Sequence, residues 1–336
     1  MSNFREFCGP ESHVYGPWVE TRINSARLAN FPQPRFLTNF RFAGTTYQEF
    51  RVSISLENTM DAKGIVSSLF GVRRALIGVI HTGGLPGTPN AARGIDETAE
   101  DCVAEARLYA AAGFHGVMIE NTHDRPYLKG SAGPEIAAAM AVIGYKVRRA
   151  TDLPLGVQVL AAANQCAVAV AHASGACFVR VEGFVFAHVG DEGLIQSSAG
   201  ELLRYRRMIG ASEIQVFADI KKKHSAHAIT ADVDLAETAK AAEFFLADGV
   251  IVTGVSTGSP ADPSEVRSVS EAVKLPTLVG SGITVENIRN YANADAFIVG
   301  SSVKQDGVWS GRLDEMRVRA LYRAFMELPT SDTRCS

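Results

Sequence analysis

Residues 249 to 302 read GVIVTGVSTGSPADPSEVRSVSEAVKLPTLVGSGITVENIRNYANADAFIVGSS. Three short apolar runs, at 249–253, 277–280 and Ala296–Val299, are separated by two stretches of helical period, 263–273 and 285–292. Each run is continuously apolar rather than alternating, the pattern of a parallel strand covered on both faces. Asp262-Pro263-Ser264-Glu265 offers the first of these helices an N-cap, a proline at the first helical position and a capping-box glutamate. Strands separated by helices predict βαβ units.

The alternation extends outward from this stretch. Further strands are expected at Ala75–His81, Gly116–Glu120, 155–160, Phe178–Val181 and 214–220. Helices are expected at 97–112, Pro134–Ala150, 165–174, 199–209, 233–246 and 313–326. Ser198 with Glu201 repeats the capping box, Gly133-Pro134 opens a helix, and Gly113, Gly175 and Gly210 sit where C-terminal glycines belong. Eight strand–helix pairs in one run predict an α/β protein of the (β/α)8 TIM-barrel class over residues 75–327. The missing Gly-x-Gly-x-x-Gly after the first strand argues against an open dinucleotide-binding sheet. Residues 1–74 read as an N-terminal extension, partly disordered or packed on the barrel, and 328–336 as a flexible tail.

Composition bounds the function. The chain has 336 residues, 46% of them hydrophobic, and a formal net charge of −3. A mildly acidic chain gives no electrostatic footing for nucleic acid or an anionic membrane. No apolar run reaches the roughly 20 residues of a transmembrane segment. Cys8, Cys102, Cys166, Cys177 and Cys335 are odd in number and never spaced Cys-x-x-Cys. They predict neither a disulfide framework nor a zinc site, and point to a reducing, cytoplasmic location. Arginine and serine in residues 1–60 raise organelle targeting, which Glu6, Glu11 and Glu20 oppose.

In a barrel of this class the reacting groups lie at the carboxyl ends of the strands. That rule singles out His81, Glu120, Asn121, Asn164, Arg180, Glu182, Asp219 and Thr253, with Lys223 and His224 in the loop after the fifth barrel strand. A carboxylate on an apolar strand needs a partner, so Glu120 and Asp219 are expected to be functional, with Arg180, Lys223 or a divalent metal as partners for Glu120. His81 and His224 are candidate acid–base groups. A site of Glu120 and Asp219 with His81 or His224 would suit a divalent metal, although no short ligand spacing supports it. Lys221 and Lys222 read as solvated. The run 249–254 contains no lysine, so Schiff-base chemistry would fall to Lys223.

The last two units suggest an anion pocket. Gly280-Ser281-Gly282 follows the seventh strand and opens a helix, and Gly300-Ser301 follows the eighth. Glycines let backbone N–H groups approach an anion, and a helix N-terminus adds partial positive charge. Tight turns would ask for the same glycines.

The chain resembles the BtpA family, which includes SgcQ-like proteins, over about residues 75–327. The resemblance is carried by Leu76-Ile77-Gly78-Val79-Ile80-His81 with Leu85-Pro86-Gly87, Glu120-Asn121 with Asp124-Arg125-Pro126, and Asp219 with Lys223-His224. Val252-Thr253-Gly254, Gly280-Ser281-Gly282 with Glu286-Asn287, and Val299-Gly300-Ser301 with Lys304, Asp306-Gly307, Asp314 and Arg317 complete it. It implies an aldolase-type barrel but no particular reaction. The family's namesake is associated with assembly or stability of photosystem I, while other members occur in organisms without photosynthesis. Where relatives often carry an asparagine-rich turn, this chain has Leu160-Ala161-Ala162-Ala163-Asn164.

Three functions follow as expectations. The first is an enzyme acting on a small phosphorylated metabolite, a sugar phosphate or nucleotide derivative, by isomerisation, lysis or glycosidic cleavage. The second is a non-catalytic assembly factor for a membrane complex, and the third a metabolite sensor. A homo-oligomer, by default an isologous dimer, is compatible with all three.

Overall fold

A computed structural model of the protein describes residues 64–329; the expectations for residues 1–63 and 330–336 lie outside the described residues. The strands in chain order are β1 (Ala75–His81), β2 (Gly116–Glu120), β3 (Leu155–Gln158), β4 (Phe178–Val181), β5 (His188–Gly190), β6 (Gly193–Ile195), β7 (Gln215–Ile220), β8 (Ser225–Ala226), β9 (Gly249–Val252), β10 (Thr277–Val279) and β11 (Ala296–Val299). The helices are α1 (Gly64–Phe70), α2 (Ile95–Ala112), α3 (Pro134–Ala150), α4 (Asn164–Ser174), α5 (Ala199–Met208), α6 (Leu235–Phe244), α7 (Pro263–Ala272) and α8 (Glu315–Met326). Strands β1, β2, β3, β4, β7, β9, β10 and β11 close into a parallel barrel, with β1 beside both β2 and β11. The fold is the (β/α)8 barrel.

The continuous apolar runs work as parallel strands because both faces are covered. Leu76, Ile80, Val117, Ile119, Val179 and Val216 pack outward beneath the helices. Ile77, Val79, Met118, Phe178, Phe217, Ile251, Leu278 and Ile298 fill the interior. Helix ends follow the expected chemistry at several places. Asp262 accepts from the Ser264 N–H at 2.7 Å, and Gly113 and Gly175 end their helices at φ 97° and 75°. Cys102 is buried and Cys166 and Cys177 half-buried, all as free thiols.

Residues 64–74 are part of the barrel body: Val66 and Phe70 of α1 enter the interior cluster, and the Phe70 ring meets Phe178 edge-on at 5.6 Å. Without this plug the apolar interior would open to water at the amino ends of the strands. At the other terminus Leu328 is buried, so ordered packing runs past residue 327.

Two local readings are corrected. The stretch 285–292 forms only a short 3-10 turn, Ile288–Tyr291. Asn287 explains this: its side chain accepts from the Thr284 N–H at 2.8 Å and donates to the Gly282 carbonyl at 2.7 Å, competing with helical hydrogen bonds. Ser198 holds the N-cap position of α5 without capping it through its side chain, because its hydroxyl donates to the Gly183 carbonyl at 3.0 Å and accepts from Asn164 at 2.9 Å. The small antiparallel sheet β6–β5–β8 was not anticipated from strands this short.

Truncating the plug with Phe70→Ala should destabilise the fold by about 3–5 kcal/mol, the usual range for emptying a buried phenylalanine site. Chemical denaturation measures it. A loss below about 1 kcal/mol would mean that α1 does not close the barrel.

Candidate functional site

Strand geometry assembles the site. Side chains alternate faces along a strand, so residues two positions beyond an interior residue return to the interior. Val79 leads to His81, Met118 to Glu120, Phe178 to Arg180, Phe217 to Asp219, Ile251 to Thr253, Leu278 to Gly280 and Ile298 to Gly300. The apolar interior therefore ends at its carboxyl rim in a polar layer. In register, His81 stands opposite Glu120, and Glu120 opposite Gln158. Above this layer opens a cavity of about 940 Å³.

Most of the buried charge at the mouth is matched. Arg180 grips both oxygens of Asp219, Nε to Oδ2 at 2.9 Å and Nη2 to Oδ1 at 3.1 Å, with side chains only 3% and 1% exposed. Burial works against the Arg180 charge, but Asp219 and Glu120 outweigh it and raise its pKa. Lys222 lies between Glu182 at 3.4 Å and Glu192 at 3.3 Å; Glu192 sits at the turn of the β5–β6 hairpin. The expectation of a solvated Lys222 is thus corrected: it is buried, and its two carboxylates raise its pKa against the burial. Burial raises the pKa of Glu182, which also accepts from the Ala162 N–H at 3.0 Å.

Glu120 and Lys223 are the open pair. Glu120 is buried and accepts from the Thr122 hydroxyl at 3.1 Å. Burial pushes its carboxyl up, but His81, Lys223 and Arg180 prevail and hold it below the ordinary glutamate range. Lys223 lines the cavity, and its side chain makes no hydrogen bond or ion pair among the described residues. Burial, and then Arg180, push its ammonium below the ordinary lysine range, against the pull of Glu120, Asp219 and Glu182.

The two histidines divide. His81 Nδ1 lies 2.8 Å from the Trp309 carbonyl; a carbonyl only accepts, so Nδ1 carries the proton and Nε2 is the free base. Burial lowers its pKa from 6.5 to about 4. Gly300 leaves room for this ring, since a Cβ there would stand 3.2 Å from Nε2. His224 is exposed, and its Nε2 accepts from the Thr257 N–H at 3.0 Å, latching the loop after β7 to the loop after β9. Lys304, fully buried against Glu105 at 2.7 Å, anchors the loop after β11 to α2.

The corner formed by the loops after β10 and β11 also faces the cavity. The N–H groups of Gly282, Ile283, Ser301 and Ser302 donate to no acceptor among the described residues, and the buried Ser302 hydroxyl has no partner. The half-exposed Arg317 lines the same cavity and donates to the Ser302 carbonyl at 3.3 Å. No long helix opens here, so free amides rather than a helix dipole provide the positive potential. Gly282 has a reason of its own: at φ +65° a Cβ would run into the Pro260 backbone. Ser281 is likewise occupied, accepting from the Gly254 N–H at 2.7 Å and donating to the Ser259 carbonyl at 3.0 Å.

The profile of the BtpA family matches residues 72–327. The chain belongs to the BtpA family. It is 45% identical over 260 residues to an uncharacterized mitochondrial protein of Caenorhabditis elegans, covering 76% of this chain and 94% of that one. It is 35% identical over 254 residues to an uncharacterized protein of Archaeoglobus fulgidus, covering 75% of this chain and 99% of that one. The photosystem I biogenesis protein BtpA of Synechocystis is 34% identical over 260 residues, 77% of this chain and 90% of that protein. Among solved structures, a thiamine phosphate pyrophosphorylase from Pyrococcus furiosus is similar at 16% identity and TM-score 0.49, over 78% of this chain and 98% of that one.

Against this BtpA-family barrel the expected site residues sort cleanly. The cavity is lined by His81, Glu120, Arg180, Lys223, His224, Gly280, Ser281, Gly282, Gly300 and Ser301. Asp219 lies beneath, covered by Arg180, and Thr253 lies below Gly280, its hydroxyl buried without a partner. Asn121 is one position out of the interior register; its amide donates to Asp124 at 2.9 Å and accepts from the Leu160 N–H at 2.7 Å. Asn164 donates to the Glu182 carbonyl at 2.7 Å. Both amides tie loops rather than line the cavity. The metal expectation for Glu120 and Asp219 is not met by the geometry: among the described residues no three His, Cys, Asp or Glu side chains converge. Gln158, Tyr127, Glu192 and Trp309 line the cavity and were missed. Period-two counting along β3 would have found Gln158.

His81 gives a pH prediction. Between about 6.5 and about 4 the unfolded chain takes up this residue's proton while the folded chain does not. Its contribution to stability therefore falls as pH drops through that window. An NMR titration should find the Nδ1–H tautomer and a midpoint near 4; a midpoint near 6.5 would contradict the buried, neutral ring.

Proposed function

We propose that the mouth binds a small phosphorylated metabolite, a sugar phosphate or nucleotide derivative, and acts on it by acid–base chemistry. The observation that carries this reading is the set of unbonded amides of Gly282, Ile283, Ser301 and Ser302 beside the Arg317 guanidinium. Converging backbone N–H groups with a nearby cation form an anion cradle. A phosphate held there would place the rest of the ligand across the mouth, over Glu120 and His81. Glu120, held ionised, serves as base, and His81, with Nε2 unprotonated, accepts a second proton or orients a hydroxyl. Asp219 acts through Arg180, keeping the guanidinium in place. Isomerisation, lysis and glycosidic cleavage all use such groups.

An assembly role without turnover, in line with the name of the Synechocystis relative, and a sensor role are the competing readings. A scaffold has no use for buried, mutually paired ions that open onto a cavity, since each ion must be desolvated. As for compartment, no described helix is long and apolar enough to cross a membrane, and the thiols of Cys102, Cys166 and Cys177 are free. A reducing compartment suits them. The C. elegans relative is mitochondrial by name, so a fluorescent fusion with and without residues 1–60 distinguishes cytosol from organelle: organelle signal lost on truncation assigns targeting to that segment.

Thermal-shift and calorimetric measurements test the binding. Inorganic phosphate and sugar phosphates should stabilise the protein, and Ser301→Asp or Arg317→Ala should weaken binding about tenfold or more, about 1.4 kcal/mol. Glu120→Gln should keep binding and abolish conversion of the bound ligand. Phosphate that binds equally well to both corner variants removes the anion site, and turnover untouched by Glu120→Gln removes the acid–base assignment.

A further inference from the structure

We propose that Lys223 is an imine-forming nucleophile, so that the ligand of the mouth carries an aldehyde or ketone as well as its phosphate. The inference rests on the phosphate reading above for the second half of that statement only.

The backbone singles this amine out. Lys221 and His224 adopt left-handed conformations, φ 54° and 53°, which residues other than glycine seldom adopt. The double kink distributes the side chains between them. Lys222 turns into the pair of Glu182 and Glu192, His224 turns outward to Thr257, and Lys223 is left facing the cavity.

Charge matching then leaves Lys223 without a partner. Asp219 is gripped by Arg180 through both oxygens, and Glu182 and Glu192 share Lys222. Glu120 is nearby and attracts the Lys223 charge without a direct ion pair. A half-buried ammonium without a bonded counter-ion is poorly solvated, so its surroundings shift it toward the neutral amine. The lowered pKa of Lys223, caused first by burial and then by Arg180, agrees with this. An amine whose ammonium form is disfavoured beside a cation is more readily available as a lysine nucleophile.

The step balances without any oxidant or further reactant. The Lys223 nitrogen lone pair forms the C–N bond as the carbonyl π bond breaks onto oxygen. Glu120 takes one N–H proton and passes it to that oxygen, giving a carbinolamine. The second N–H proton follows the same route, the C–O bond breaks, and water leaves. Glu120 returns to its starting state and the C=N bond remains.

Borohydride trapping on the full chain tests this, with glyceraldehyde 3-phosphate as probe, glyceraldehyde as its unphosphorylated control, and peptide mass mapping as readout. One reduced adduct per chain is expected at Lys223, ahead of the solvent-exposed lysines. Excess inorganic phosphate should suppress it, and K223R should lose it while keeping thermal stabilisation by inorganic phosphate. Adducts spread over exposed lysines with Lys223 unmodified overturn the proposal, and the mapping of the unsubstituted protein decides this even where K223R folds poorly. Labelling of Lys223 by both aldehydes alike, indifferent to phosphate, would retain the nucleophile and remove the phosphate site. Phosphate binding with no Lys223 adduct would do the reverse.

Discussion

The fork between Arg180 and Asp219 sets the electrostatics of the whole mouth. It joins β4 to β7, and its two side chains are 3% and 1% exposed. Ions this deep lose most of their hydration, and removing one partner of such a pair destabilises a protein by about 3–5 kcal/mol. Once Arg180 is fixed as a permanent cation, its neighbours respond in opposite senses. With His81 and Lys223 it helps to hold Glu120 as a carboxylate despite burial, and after burial itself it disfavours the Lys223 ammonium. Its partner Asp219 pulls Lys223 the other way, so the lowering reflects burial first and Arg180 second.

The two ends of the barrel answer the same physical problem differently. Eight parallel strands enclose an interior that must be filled or sealed. At the amino ends α1 supplies Val66 and Phe70, and the seal is apolar. At the carboxyl ends the alternating interior face continues into His81, Glu120, Arg180 and Asp219, and the seal is a layer of matched charge with a cavity above it. Loops complete that layer: the β5–β6 hairpin brings in Glu192, and the loop after β11, held by the buried Lys304–Glu105 pair, brings the Trp309 carbonyl to His81.

Much of this was legible in the sequence. Apolar runs that end in a polar residue located Glu120, Arg180 and Asp219, because parallel strands need both faces apolar until the rim is reached. The strict period of two along each strand separates Glu120, which faces the cavity, from Asn121, which ties Asp124 to Leu160. Partner choice was not legible. Whether Arg180 meets Glu120 or Asp219 depends on the offset between strands that lie apart in sequence. The opposite fates of Lys222 and Lys223 depend on left-handed backbone at Lys221 and His224, which no local pattern announces. Asn287 shows the same limit, since its side chain replaces helical hydrogen bonds in a stretch whose apolar spacing favoured a helix.

The account stands on adjacent lysines held in opposite charge environments. A side-chain NMR titration of Lys222 and Lys223 in the intact protein measures this directly. Lys223 should release its proton below the ordinary lysine value of 10.5, and Lys222 above it. Coincident titrations, or the reverse order, would contradict the opposite charge environments of the two lysines.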